Sequence, residues 1–254
     1  MDDDARSVRD VAKEDLHIYV LIGQSNMAGR AKITDDVAGV IDRCYLLNDR
    51  NEWVPAKNPL NLYSTIRKGE GMQKLGPGYR FALAMLEAHP DIKIGLVVNA
   101  RGGSKIEQWL GDDSKYYRDV LKRTVAAQKT GTLKGVLWHQ GESNRGKPEG
   151  YLEKLQALVT ALREDFDDPA LPFVAGQIHT DARFKPINDQ IAKLPAAVEG
   201  TGVVLSEGLT TYDGTHFDTS SQIELGQRYA KRMLAVQQSQ AAEAQRQDNA
   251  EATR

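Results

Sequence analysis

His17-Ile18-Tyr19-Val20-Leu21-Ile22 runs without a break into Gly23-Gln24-Ser25-Asn26. The first stretch is mostly apolar, β-branched or aromatic and predicts a buried strand. The second is a set of turn formers. The same strand-then-polar-turn pattern recurs. Ile92–Val98 ends at Asn99 and gives way to Ala100-Arg101-Gly102-Gly103-Ser104. Gly135–Trp138 gives way to His139-Gln140-Gly141-Glu142. Phe173–Ile178 and Val203–Leu205 predict two further strands, with Asp213-Gly214-Thr215-His216 on the loop after the last, and residues 42–47 predict a short one.

Helical patterns fall between these strands. Phe81–His89 is stopped by Pro90. Residues 114–129 carry Tyr117, Val120, Leu121 and Val125 on an apolar side, and residues 150–165 place Leu152, Leu155, Leu158, Val159 and Leu162 at the three/four spacing of an amphipathic helix. Residues 186–198 and 220–238 predict two more helices, and residues 50–78, rich in Asn, Gly, Pro and Lys, predict a long loop. Strands alternating with helices imply βαβ units and a parallel sheet covered on both faces. The expected organisation is an N-terminal arm over residues 1–15, one domain over 16–236, and a tail over 237–254 that frays or is disordered. In such sheets ligands bind beyond the carboxyl ends of the strands. The four polar turns fall at that rim.

Composition excludes several classes. The 254 residues include 41% hydrophobic and 27% charged residues with a net charge of −2, so a sizeable core can form and no basic footprint for nucleic acid exists. No apolar run approaches the length of a membrane span. The single cysteine, Cys44, cannot pair within the chain and sits in an apolar stretch, which reads as a buried structural thiol. Met1-Asp2-Asp3-Asp4 lacks the basic and apolar regions of a signal peptide, so the expectation is a cytoplasmic protein, or an exported one whose leader has been removed. The five histidines are scattered with no HExxH, so no metal site and no cofactor is expected. Gly141–Lys147 matches the start of a P-loop, but Pro148 stands where the Mg²⁺-binding hydroxyl belongs. Met27 replaces the second glycine of G-x-S-x-G, which argues against an α/β-hydrolase elbow. The sequence sets no oligomeric state.

The polar turns hold the parts of a nucleophilic site. A serine hydroxyl needs a base within hydrogen-bond reach, and the base needs a third group to fix its tautomer. Asp213 and His216, separated by three residues with Gly214 between, allow the carboxylate to reach Nδ1 and leave Nε2 to face Ser25. Donors for a developing oxyanion are available from the Ser25 N–H, the Gly102-Gly103 turn and the Gln140 amide. Gln24, Asn26, Arg101, Gly102, Trp109 and His139 are candidates for substrate binding. For several of these a plainer role competes. Trp109 is a sugar-stacking platform or a core residue, and Tyr212 carries the same two readings. Arg101 holds a substrate carboxylate or caps a helix. His139 touches substrate or, the preferred reading, is packed at the strand end.

In chain order, Gly23-Gln24-Ser25-Asn26-Met27, Arg101-Gly102-Gly103-Ser104, Trp138-His139-Gln140-Gly141-Glu142-Ser143-Asn144 and Asp213-Gly214-Thr215-His216 resemble the SGNH-hydrolase superfamily. They are most similar to its sialate O-acetylesterase-like group and the neighbouring family 6 carbohydrate esterases, which include acetylxylan esterases. The resemblance spans about residues 17–234. It implies a flavodoxin-like three-layer α/β/α sandwich with a parallel sheet. It implies Ser25 as nucleophile, His216 as base, Asp213 as its orienting acid and Gly103, or else Gly102, in the oxyanion hole. Gln140 stands where other members carry an asparagine donor. Glu142 is implied to matter, either as a second carboxylate polarising His216 or as an acceptor shaping the pocket. The expected activity is hydrolysis of acetyl esters on a carbohydrate, without a cofactor. A short-chain lipase, thioesterase or peptidoglycan deacetylase on the same fold and a non-catalytic carbohydrate-binding module are the alternatives.

Overall fold

The structure is a computed structural model that describes residues 11–252. Of the expected N-terminal arm, residues 1–10 lie outside the described residues, and residues 12–15 form a turn closed by the Asp15 N–H on the Ala12 carbonyl at 3.0 Å. Seven strands follow: β1 (Leu16–Gly23), β2 (Cys44–Leu47), β3 (Trp53–Pro55), β4 (Lys93–Ala100), β5 (Thr132–His139), β6 (Phe173–Gly176) and β7 (Thr201–Val204). They form one sheet in the order β3-β2-β4-β1-β5-β6-β7, with every pairing parallel except β2 with β3. β1 lies at the centre between β4 and β5, and the strand order reverses beside it.

The helices are α1 (Ser25–Ala28), α2 (Gly78–Ala88), α3 (Lys115–Ala127), α4 (Tyr151–Asp165), α5 (Lys185–Ile191), α6 (Leu194–Ala197) and α7 (Thr219–Ala252). The period-two geometry of β1 divides its side chains between two cores. Tyr19 and Leu21 pack with Phe81 and Met85 of α2 and Tyr229 and Met233 of α7. Ile18, Val20 and Ile22 pack on the other face with Val120 of α3 and Leu155, Leu158 and Leu162 of α4. Both faces are therefore covered, as the three-layer reading requires, and Cys44 is buried, which pushes its thiol pKa up.

Four details differ from the pattern reading. Trp53–Pro55 forms an antiparallel edge strand inside the expected loop. Its last residue is a proline, which a sheet edge tolerates. Val125 is exposed, and α3 instead buries Thr124 and Arg123, whose guanidinium donates to the carbonyls of Leu47 and Asn48 at 2.8 and 3.1 Å. Residues 186–198 divide into two short helices around Ala192-Lys193. α7 continues to Ala252, through the residues expected to form the tail. Residues 237–252 are rich in Ala, Gln and Glu with no Gly or Pro, and a helix already nucleated by packing propagates easily through such residues. Gln237 and Gln240 fasten its middle to the carbonyls of Lys134 and Ala170. No described helix is long and apolar enough to cross a membrane.

Candidate active site

The carboxyl ends of β1, β4 and β5 stand side by side, and their turns are stitched together by the backbone. The Gln24 N–H donates to the His139 carbonyl at 2.8 Å, and the Arg101 N–H to the Gly23 carbonyl at 2.9 Å. Gly23 has φ of 135°, and a Cβ there would stand 2.2 Å from the His139 carbonyl oxygen. Only glycine lets β1 turn this close to β5. The turn delivers Ser25 to the first position of the one-turn helix α1, with 5% of its surface exposed.

The loop after β7 supplies the partners. Asp213 Oδ1 accepts the N–H groups of Thr215 and His216 at 3.0 and 2.7 Å, closing a tight turn in which Gly214 has φ of 79°. Oδ2 lies 2.6 Å from His216 Nδ1, and His216 Nε2 lies 2.9 Å from Ser25 Oγ. Burial pushes the Asp213 carboxyl up, but the bonds from the His216 ring and from the two N–H groups outweigh it and hold the carboxyl below its ordinary range. Asp213 is therefore ionised beside the ring. It fixes Nδ1 as the protonated nitrogen and leaves Nε2 free to accept the serine proton. This is the hydrogen-bond order that activates a serine hydroxyl for attack on an ester. Among the described residues, no group in the protein accepts from the N–H of Ser25 or of Gly103, so both are available to an oxyanion.

Behind the hydroxyl lies a buried polar net. Glu142 Oε1 accepts from Asn26 Nδ2 at 2.5 Å. The same Asn26 nitrogen donates to the Thr215 carbonyl at 3.1 Å, and Asn26 Oδ1 accepts the Phe217 N–H at 3.1 Å. Asn26 thus grips the chain on both sides of His216. Burial pushes Glu142 up to about 7, against the pull of the Asn26 bond and of Arg145. Among the described residues its Oε2 has no hydrogen-bond partner. Glu142 makes no hydrogen bond to His216; its contact is with Asn26, which holds the chain on either side of His216.

Several residues expected to face substrate are part of this net instead. Gln140 is fully buried. Its Nε2 faces three acceptors, Asn144 Oδ1 at 2.7 Å, the Ser104 carbonyl at 3.0 Å and Gln24 Oε1 at 3.1 Å. Its two amide hydrogens are committed there, so it ties three turns together and offers no free oxyanion donor. Gln24 Oε1 also accepts the Ser143 N–H at 3.2 Å. Asn26 is fully buried and clamps the histidine loop, out of reach of a sugar. His139 is packed: its Nδ1 lies 3.0 Å from the Tyr229 hydroxyl, which donates to the Trp138 carbonyl, and burial lowers its pKa to about 3. Trp109 is a core residue, fully buried with Nε1 donating to Ser104 Oγ at 3.0 Å. Arg101 neither caps a helix nor faces a charged partner; it donates to the Ile66 and Arg67 carbonyls at 3.0 and 3.1 Å and fastens the loop over the site. Tyr212 is not a core residue. It is 56% exposed and stacks on the His216 ring, centroids 6.0 Å apart.

Sequence reasoning passed over Arg30 and Lys68. A Cβ on Gly102 would stand 2.4 Å from Arg30 Nη2, and one on Gly103 would stand 3.2 Å from Lys68 Nζ. Both cations border the glycine turn. Arg30 is close to Ser25 in sequence, and its only signal was a basic side chain directly after the nucleophile turn.

A mostly parallel, doubly covered sheet with Ser25, His216 and Asp213 at its carboxyl rim is an SGNH-type hydrolase fold. The chain belongs to the family described as carbohydrate esterase, sialic acid-specific acetylesterase, which matches residues 15–235, and it is a carboxylic ester hydrolase. A protein of Arabidopsis thaliana named a probable carbohydrate esterase is 30% identical over 250 residues, covering 86% of this chain and 90% of its own. A crystal structure of an Arabidopsis thaliana protein superposes with a TM-score of 0.78 at 28% identity, over 86% of this chain and 98% of that one. Two solved structures share the fold at lower identity. NanS has a TM-score of 0.73 at 16% identity, covering 90% of this chain and 99% of its own. A carbohydrate acetylesterase from Xanthomonas citri has a TM-score of 0.62 at 20%, covering 85% of this chain and 55% of its own.

Proposed function

We propose that the chain removes O-acetyl groups from a carbohydrate, of acetylxylan or sialate type, through an acetyl-enzyme on Ser25. The observation that carries this reading is the unbroken line from Ser25 Oγ to His216 Nε2 at 2.9 Å and from Nδ1 to Asp213 at 2.6 Å. Ser25 Oγ attacks the acetyl carbonyl carbon while His216 Nε2 takes the serine proton. The carbonyl electron pair moves to oxygen, where the N–H groups of Ser25 and Gly103 receive it. Collapse breaks the bond to the sugar oxygen, which leaves with the proton from His216. Water then attacks the acetyl-enzyme by the same route reversed. Glycines and the charged Arg30 and Lys68 border the turn beside Ser25. That suits a short acyl group. Tyr212, exposed above His216, is the aromatic surface on which a sugar face would rest.

Turnover of 4-nitrophenyl acetate, butyrate and octanoate by the wild type and Ser25→Ala tests the reading. Fast acetate hydrolysis that declines with chain length and vanishes in the variant is the expected result. Full activity in Ser25→Ala would overturn the mechanism. Rates that rise with chain length would move the chain to a lipase or thioesterase role.

A further inference from the structure

Arg30 is a cation that the fold has buried without a carboxylate. It is 8% exposed, and no ion pair involves it among the described residues. One end is structural: Nη1 donates to the carbonyls of Gly29 and Met72, each at 2.7 Å. The other end is not committed. Among the described residues Nη2 has no hydrogen-bond partner, and it is not sealed from solvent. Taking a charge out of water without a counter-ion is costly. Burial accordingly loosens the proton of Arg30, opposed by the Tyr212 phenol, but a guanidinium stays charged in any protein environment.

The location says what the free end faces. Gly102 has no left-handed backbone that would explain its being glycine, yet a Cβ there would meet Arg30 Nη2 at 2.4 Å and lie 3.7 Å from Ser25 Cβ. A side chain at Gly102 would force the guanidinium end to move. The same glycine immediately precedes the Gly103 N–H that is free for an oxyanion. Lys68 Nζ adds a second, exposed positive charge along this turn.

We infer that Arg30 is an electrostatic positioning residue for the ester hydrolysis, the fixed counter-charge of the negative oxygen that develops when Ser25 adds to the acetyl carbonyl. This rests on the Ser25 mechanism proposed above. A fixed charge held beside the site stabilises a developing oxyanion with little reorganisation at the moment of reaction. The benefit belongs to the transition state, so it acts on kcat rather than on KM.

The test uses the full chain, with 4-nitrophenyl acetate as a substrate that carries neither sugar nor carboxylate. Arg30→Met, which removes the charge but keeps an unbranched chain, is expected to lower kcat at least tenfold with KM within about twofold. Arg30→Lys, which restores the charge, is expected to recover most of that loss. The affinity of phenylboronic acid, whose tetrahedral serine adduct is anionic, should fall in Arg30→Met in proportion to kcat. Wild-type kcat in Arg30→Met, or equal losses in Arg30→Met and Arg30→Lys, would overturn the inference and leave Arg30 a clamp for the Gly29 and Met72 carbonyls. An effect confined to the KM of carboxylate-bearing acetyl sugars, with 4-nitrophenyl acetate untouched, would overturn it in favour of a substrate-carboxylate contact. If Arg30→Met does not fold, Arg30→Lys decides alone: kcat within tenfold of wild type supports the inference, and a folded variant with a loss beyond a hundredfold overturns it. Ser25→Ala runs alongside. If that variant keeps full activity, it is the mechanism that fails; if it is inactive while Arg30→Met is normal, only the role of Arg30 fails.

Discussion

The two sides of the Ser25 hydroxyl are built in opposite ways. In front, the Asp213–His216 turn is partly open to solvent, with side chains 38% and 24% exposed, and the bonds that shape it span two or three residues. Behind, Asn26, Gln140 and Glu142 are buried, and the Asn26–Glu142 and Gln24–Gln140 bonds each join residues 116 apart in sequence. On the proposed mechanism the front holds the groups that move protons. The back holds the front in place, through Asn26 on the Thr215 carbonyl and the Phe217 N–H. A residue in a functional turn therefore acts on the ester or on its neighbour according to which side it joins.

Substitutions separate the two sides. The largest effect is expected at the hydroxyl itself. Ser25→Ala should lower kcat/KM on 4-nitrophenyl acetate by about 10⁴- to 10⁶-fold with an unchanged Tm, since it removes the nucleophile and no packing. Asn26→Ala comes next and should affect both quantities. It releases the histidine loop and leaves the Glu142 carboxyl without its donor, at a cost of about 2–4 kcal/mol in stability and roughly ten- to a hundredfold in kcat. If Asn26→Ala lost activity with no change in Tm, the division between the sides would break. Glu142→Gln keeps an oxygen facing Asn26 but cannot ionise. The native carboxyl, with a pKa raised to about 7, keeps its proton where the unfolded chain has already released it. Wild-type stability should therefore decline from about pH 4.5 to pH 7 on this account. The variant should gain several degrees in Tm relative to wild type between pH 5 and pH 8, read by thermal melts in matched buffers; a constant difference would show that Glu142 does not titrate there. The smallest effect belongs to Tyr212→Ala. It should raise KM severalfold for acetylated oligosaccharides and leave 4-nitrophenyl acetate turnover within about twofold, because it trims the sugar surface and not the proton path.

The same division explains what the sequence disclosed. The strand-to-turn junctions at Gly23, Ala100 and His139 were legible because a buried strand and a glycine-rich turn each leave a local pattern. The Asp213–His216 pair was legible because both partners fall within one turn. Trp109 and Gln140 were not, because what they meet comes from elsewhere in the chain: Trp138 stands edge-on to Trp109, and the Ser104 carbonyl and Gln24 Oε1 hold the Gln140 amide. Arg30 was hidden for the same reason: its significance lies in Gly102, seventy-two positions away. β3 escaped because three residues ending in proline carry no alternation, and the end of α7 because Gln, Ala and Glu suit both a disordered tail and a helix already begun.

The last helix gives the molecule a long axis of attachment. α7 starts three residues after His216, at the rim where the ester would be cleaved, and by Gln237 and Gln240 it has reached the opposite end of the sheet. Residues 241–250 are exposed throughout, and the twelve from 241 to 252 extend it by about 18 Å at the rise of an α-helix. Any partner domain, resin or surface joined beyond Ala252 would hold the protein at the end of a stiff spacer, with the Ser25 rim facing away from the anchor.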